Sequence, residues 1–189
     1  DARIKKESVL FNSSIELREQ QLVVKEAASK KDFGVIVAPP GSGKTIIGLS
    51  IIAEKQQPAL IIVHRKQLAI QWIERIESFL GIPKKDIGII GQGKNTIGKH
   101  ITVAMIQSLN KLLQSAEANK YENSFGAIIV DECHHVPADT FRNTIAKLHS
   151  FYLYGLTATP FRKHNDGKLI FSYLGEIIAE IKMQLTENT

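Results

Sequence analysis

Cys133 is the only cysteine in 189 residues, which rules out an internal disulfide and fits a reducing compartment. Long hydrophobic runs are also missing. The longest, Ile46 to Ala53, is interrupted by Gly48 and Ser50 and is far too short to span a bilayer. No secretory pattern opens the sequence, so the expected location is cytoplasmic, with no membrane partner. Internal repeats and low-complexity tracts are absent too. An apolar fraction of 43% and a charged fraction of 23% describe an ordinary globular chain. Its length suits one α/β domain with a proper core and is too short for two. The net charge of +5 is compatible with a polyanionic partner but is too common to identify one.

Short, β-branched apolar runs alternate with helical patterns. Strands are expected at Gly34–Ala38, Ala59–Val63, Asp86–Ile90, Ile101–Ala104, Ala127–Val130 and Tyr152–Leu156. None shows polar alternation, as expected for strands of a parallel sheet buried on both faces. Between the second and third, Lys66–Leu80 carries the stripe Leu68, Ala69, Trp72, Ile73, Ile76, Phe79 and Leu80, closed by Gly81 and Pro83. A helix from about Leu17 to Lys31 precedes the first strand, and Phe141, Ile145 and Leu148 repeat at helical spacing after Pro137. The fold class is therefore α/β, a mostly parallel sheet with helices on both faces, in which ligands bind at the carboxyl ends of the strands.

Ala38-Pro39-Pro40-Gly41-Ser42-Gly43-Lys44-Thr45 leaves a strand and enters a helix, the setting of a Walker A phosphate loop. Gly41 and Gly43 allow the backbone to curl its N–H groups around an anion. The positive end of the helix adds to that field. Pro40, Gly41, Ser42, Gly43, Lys44 and Thr45 are thus the candidate nucleotide-binding residues, with Lys44 on the β and γ phosphates and Thr45 on Mg²⁺, and the loop alone leaves kinases, GTPases and transporters open. Ile128-Ile129-Val130 then runs into Asp131-Glu132-Cys133-His134-His135. In such a pair Asp131 holds Mg²⁺ and Glu132 orients or deprotonates the attacking water. A zinc site at Cys133, His134 and His135 is set aside, because neighbours in extended chain point to opposite sides and partner spacing is missing. His149 and His164 are read as surface or packing residues.

Together these two motifs resemble the DExH boxes of superfamily 2 helicases, and further segments match in order from residue 17 to 160. Leu17-Arg18-Glu19-Gln20-Gln21 is similar to the L-R-x-x-Q element that reads adenine, which implies an adenine contact at Gln21 with Arg18 nearby. Val63-His64-Arg65-Lys66-Gln67-Leu68 resembles motif Ia, and Val103 to Leu109 the next nucleic-acid motif. These imply backbone contacts from His64, Arg65, Lys66, Gln107 and Ser108. Gly155-Leu156-Thr157-Ala158-Thr159-Pro160 resembles motif III, which implies coupling of nucleotide state to movement through Thr157, Thr159 and His134. Ala38 stands where the general phosphate-loop pattern has glycine, as is usual in superfamily 2, and Met105 where relatives often have threonine.

The wording is closest to DNA-repair helicases and the motors of type I and III restriction enzymes. The resemblance implies a RecA-like P-loop NTPase fold, ATP and Mg²⁺ as ligands, DNA before RNA as partner, and a second RecA-like domain that supplies an arginine. Arg162 is the nearest arginine candidate in this chain. The expected organisation is a lead-in over residues 1–16 and an ATP-binding domain over 17–185. The start at Asp1 and the polar tail 186–189 suggest a piece of a longer protein. An RNA helicase and an ATP-gated nucleic-acid sensor remain open. A P-loop phosphotransferase would need an acceptor site and a lid, and would leave the residue 131–134 box and the 157–159 segment unexplained.

Overall fold

The computed structural model describes residues 3–159 and 172–182. Pro160, Arg162 and His164 lie outside them. In chain order the elements are α1 (Glu19–Ser29), β1 (Phe33–Val37), α2 (Lys44–Lys55), β2 (Ala59–Val63), α3 (Lys66–Leu80), β3 (Gly88–Gly91) and β4 (Lys94–Asn95). There follow β5 (Ile101–Met105), α4 (Ile106–Leu113), α5 (Ala118–Glu122), β6 (Ala127–Asp131), α6 (Ala138–Ile145), β7 (Tyr152–Thr157) and β8 (Ile177–Glu180). The strands form one sheet in the order β4-β3-β5-β2-β6-β7-β1-β8. Every pairing is parallel except β3 with β4.

Alternation along the central strands sends apolar side chains to both faces, and helices cover each. Ile61, Val63 and Ile129 join Val24 of α1, Ile47 of α2 and Trp72 and Ile76 of α3 in one core. Leu60, Ile62, Ile128 and Val130 join Leu109 of α4, Tyr121 of α5 and Phe141 of α6 in the other. No helix among the described residues is long and apolar enough to cross a membrane.

Differences from the sequence reading sit at the sheet margin and in short helices. Residues 84–86 form a 3₁₀ turn, so Asp86 and Ile87 precede β3 instead of opening it. The helix after Pro137 stops at Ile145, leaving Leu148 beyond it. The first helix spans Glu19–Ser29, tighter than the stripe from Leu17 to Lys31 suggested. Four elements were not foreseen: β4, β8, α4 and α5. β4 has two exposed residues and exists because Gln92 and Gly93, both at positive φ, make a tight hairpin back from β3. Residues 3–16 run along the body: Ile4 bridges to Ser150, and the Val9 and Ser14 N–H groups donate to Gln56 and Phe79.

Ile61 is fully buried on β2, between β5 and β6. Ile61→Ala should lower unfolding free energy by about 2–5 kcal/mol. Urea denaturation checks this, and a loss under about 1 kcal/mol would contradict tight packing at the sheet centre.

Candidate nucleotide and nucleic-acid site

At the carboxyl ends of β1, β6 and β7 three segments converge. The chain leaves β1 with Ala38 N–H donating to Thr157 O at 2.8 Å, so the phosphate loop and the end of β7 are tied at the backbone. Ser42 closes the loop on itself, its N–H and hydroxyl both donating to Pro39 O, at 3.1 and 2.5 Å. Gly41 and Gly43 take φ of 78° and 82°, which favour glycine. A second constraint acts at Gly43, where a Cβ would collide with the Gln21 amide nitrogen. That amide is 4% exposed. It donates to Ser42 O at 2.9 Å and accepts from the Arg18 N–H at 2.9 Å, so Gln21 fastens α1 to the loop while the Arg18 side chain is exposed.

Lys44 and Thr45 begin α2 behind Gly43. Lys44 Nζ lies 3.4 Å from Asp131 Oδ1 and is also paired with Glu132. Regular strand geometry would send those two carboxylates to opposite faces. Glu132 instead adopts φ 49°, ψ 48°, a left-handed conformation costing a non-glycine residue about 1–2 kcal/mol, and both acids meet one ammonium. Asp131 Oδ1 and Glu132 Oε2 are buried with no hydrogen-bond partner among the described residues. One buried and one half-buried carboxylate against one cation leave a negative deficit that a further cation would relieve. Thr45, at the second position of α2, stands beside Lys44 at the same helix start.

After Glu132 the chain makes a 3₁₀ turn, Cys133–His135, where the sequence reading assumed extended chain. The argument that adjacent side chains diverge therefore fails: the His134 and His135 rings lie side by side with centroids 3.9 Å apart and planes tilted by 42°, and one donor atom each from Glu132, His134 and His135 lie within 4.8 Å of one another. Cys133 is separated from them, turned into the core against Gly155, with burial pushing its thiol up to about 12. His134 Nδ1 is 2.6 Å from the Thr157 hydroxyl, and Nε2 is 3.4 Å from that of Thr159. The three residues assigned to coupling thus form one contact beneath the acids. His149 pairs with Asn123 at 3.1 Å, far along the chain from this cluster.

The neighbouring strands β2 and β5 end in register, Val63 opposite Met105, and each feeds a helix directly. α3 starts with N-cap Arg65, and α4 with N-cap Met105. Neither side chain caps its helix, so both N-termini keep open N–H groups suited to anionic oxygen. A threonine at 105 could have capped α4; methionine cannot. Arg65, Lys66 and Gln107 are exposed and Ser108 is half-buried. His64 differs from the exposed pair after it. Its ring turns toward His135, centroids 5.4 Å apart, and neither nitrogen has a hydrogen-bond partner among the described residues.

Sequence reasoning missed Trp72. Its indole N–H donates to Asp131 Oδ2 at 2.8 Å, inside the core. The signal was a polar N–H within an otherwise apolar helical stripe, a group that needs a partner when buried.

Burial, then the fields of His135 and Lys44, hold the His134 imidazole down to about 4 from its usual 6.5. Between those values the unfolded chain binds the extra proton, so His134 weakens the fold as pH falls from 6.5 toward 4 and has no such effect above 6.5. His134→Gln should flatten this part of the pH profile of the urea midpoint. Parallel profiles for both proteins would contradict a buried neutral imidazole.

Comparison with known proteins gives the family and the fold. A family model described as "Type III restriction enzyme, res subunit" matches residues 12–162. The DNA 3'-5' translocase XPB2 of Sulfurisphaera tokodaii is 38% identical over 159 residues, covering 84% of this chain and 34% of that protein. The DNA 3'-5' helicase XPB of Mycobacterium tuberculosis is 30% identical over 170 residues, covering 88% of this chain and 30% of that one. The chain therefore spans about a third of the length of these curated relatives. Among solved structures, the Hef helicase domain of Pyrococcus furiosus superposes with a TM-score of 0.73 at 21% identity, over 92% of this chain and 38% of that one, and shares its fold. The phosphate loop, the acidic pair and the His134–Thr157 contact all fall inside the matched span, and the chain belongs to the type III restriction enzyme res-subunit family, a branch of the superfamily 2 helicases.

Proposed function

We propose that this chain is the first motor domain of an ATP-dependent DNA helicase or double-strand translocase, which hydrolyses ATP to ADP and phosphate as it moves. One observation carries the reading: a single sheet edge carries two adjacent groups of residues, each suited to a different anionic ligand. The ends of β1, β6 and β7 gather Lys44, Asp131, Glu132, His134 and Thr157. The adjoining ends of β2 and β5 offer two open helix N-termini with exposed Arg65, Lys66 and Gln107. Relatives named as DNA translocase and helicase favour DNA, while a relative 38% identical over 146 residues and named an ATP-dependent RNA helicase keeps RNA as the second reading. A second RecA-like domain of the same protein and a cytoplasmic location belong to the same reading.

The residues present fit a magnesium nucleotide. The orphaned oxygens of Asp131 and Glu132 are acceptors in need of a cation, and Thr45 adds a neutral oxygen beside them. Asp131 and Thr45 would hold the metal, which when bound would neutralise phosphate charge as a Lewis acid. The phosphate loop from Pro40 to Thr45 would hold the phosphates, and Lys44 would leave the acids for the β and γ oxygens. Gln21, already fixed to the loop, has a donor and an acceptor suited to adenine, with Arg18 beside it. Glu132, released from Lys44, would accept a proton from water. That water's oxygen bonds to the γ phosphorus as the bond to the β–γ bridging oxygen breaks and ADP departs. His134, Thr157 and Thr159 would pass the change along β7, and an arginine from the second domain would complete the charge stabilisation.

Lys44→Ala should weaken ATP binding about 10–100-fold, the worth of a charge-assisted contact. Glu132→Gln should retain ATP yet hydrolyse it far more slowly. Labelled-nucleotide titration and single-turnover hydrolysis separate the two, and normal hydrolysis by Glu132→Gln would contradict its role. Arg65→Ala with Lys66→Ala should weaken duplex DNA, single-stranded DNA and RNA alike, and lower the salt slope by about 1 for each phosphate no longer neutralised. A defect confined to one base sequence would contradict backbone binding.

A further inference from the structure

The two oxygens of the Asp131 carboxylate, itself 1% exposed, have different surroundings. Oδ2 accepts the Trp72 indole N–H at 2.8 Å. Oδ1 has no hydrogen-bond partner among the described residues and lies 3.4 Å from Lys44 Nζ. Trp72 is fully enclosed in the middle of α3, so without Asp131 its N–H would be buried and unpaired, at a cost of about 1–3 kcal/mol.

The indole reaches the carboxylate because α2 leaves room for it. Gly48 lies one turn beyond Lys44, and a Cβ there would stand 3.0 Å from the Trp72 ring, 3.2 Å from Ile129 and 3.3 Å from Leu156. The ring is therefore held between the helix that starts at the phosphate loop and the strand that ends in the acid. A carboxylate pinned through one oxygen cannot swing about its terminal torsion, and its other oxygen stays aimed at Lys44.

We propose that Trp72 is a positioning residue for the cation site: its N–H locks one oxygen of Asp131 so that the other is presented toward the phosphate loop. The proposal rests on the reading of Asp131 as the metal-holding acid. Groups that orient a ligand through a hydrogen bond are typically worth about 10–100-fold in metal affinity.

Mn²⁺ serves as the probe, with binding to the ADP-loaded 189-residue chain followed by electron paramagnetic resonance of the free ion. Trp72→Phe keeps an aromatic ring and loses the N–H. It should weaken Mn²⁺ binding about 10–100-fold while ADP affinity in a chelator stays at the wild-type value. Wild-type Mn²⁺ affinity in Trp72→Phe, alongside a weakened Asp131→Asn, would overturn the role of Trp72 and leave the cation site standing. Wild-type affinity in Asp131→Asn would overturn the cation site itself. A second measurement leaves the indole in place. Trp72 is the one tryptophan of the chain, so the N–H-sensitive band in its ultraviolet resonance Raman spectrum needs no assignment. Asp131→Ala should shift that band to the position of an indole without a hydrogen bond, and an unmoved band would overturn the proposal.

Discussion

The cluster in which Lys44 sits between Asp131 and Glu132 is the constraint around which the rest of this structure is arranged. Two carboxylates at the end of an apolar strand are costly to bury, and one ammonium does not balance them. Several otherwise odd features follow from that imbalance. Glu132 accepts a left-handed backbone so that both acids face Lys44. Trp72 places an N–H inside the core, where it meets Asp131. His134 stays neutral next to the lysine and so adds no charge to the group.

Sheet topology sets this cluster beside the surface proposed for nucleic acid. Because β2 lies between β5 and β6, the helix start at Arg65 adjoins the strand that carries the acids, and the one at Met105 lies one strand further out. Helix α3 belongs to both halves: its N-terminus bears Arg65 and Lys66, and its interior bears Trp72. His64, turned toward His135, occupies the seam between them.

Where side-chain pattern and backbone geometry coincide, the sequence was legible. The central strands are continuous apolar runs, and α3 is marked at both ends, so their positions could be read directly. Gly41, Gly43, Lys44 and Thr45 were legible because the chemistry of holding an anion on backbone N–H groups restricts residue choice. Elements that depend on one turn or on few residues were not. β4 follows from two positive φ values at Gln92 and Gly93, and of the eight residues of α4 the first four, Ile106 to Leu109, entered only as part of a contact motif. The histidine cluster was not legible because nothing local announces that Glu132 turns left-handed. Trp72 looked like packing because its partner lies 59 residues away.

The central claim is that Lys44, Asp131 and Glu132 form the site for the nucleotide phosphates and their cation. A structure determined with Mg²⁺ and a non-hydrolysable ATP analogue tests it most directly. The account predicts that Lys44 Nζ leaves Glu132 for the phosphate oxygens, while Asp131 keeps its hydrogen bond to Trp72 and directs its other oxygen to the cation. A bound analogue with Lys44 still paired to both acids would contradict it.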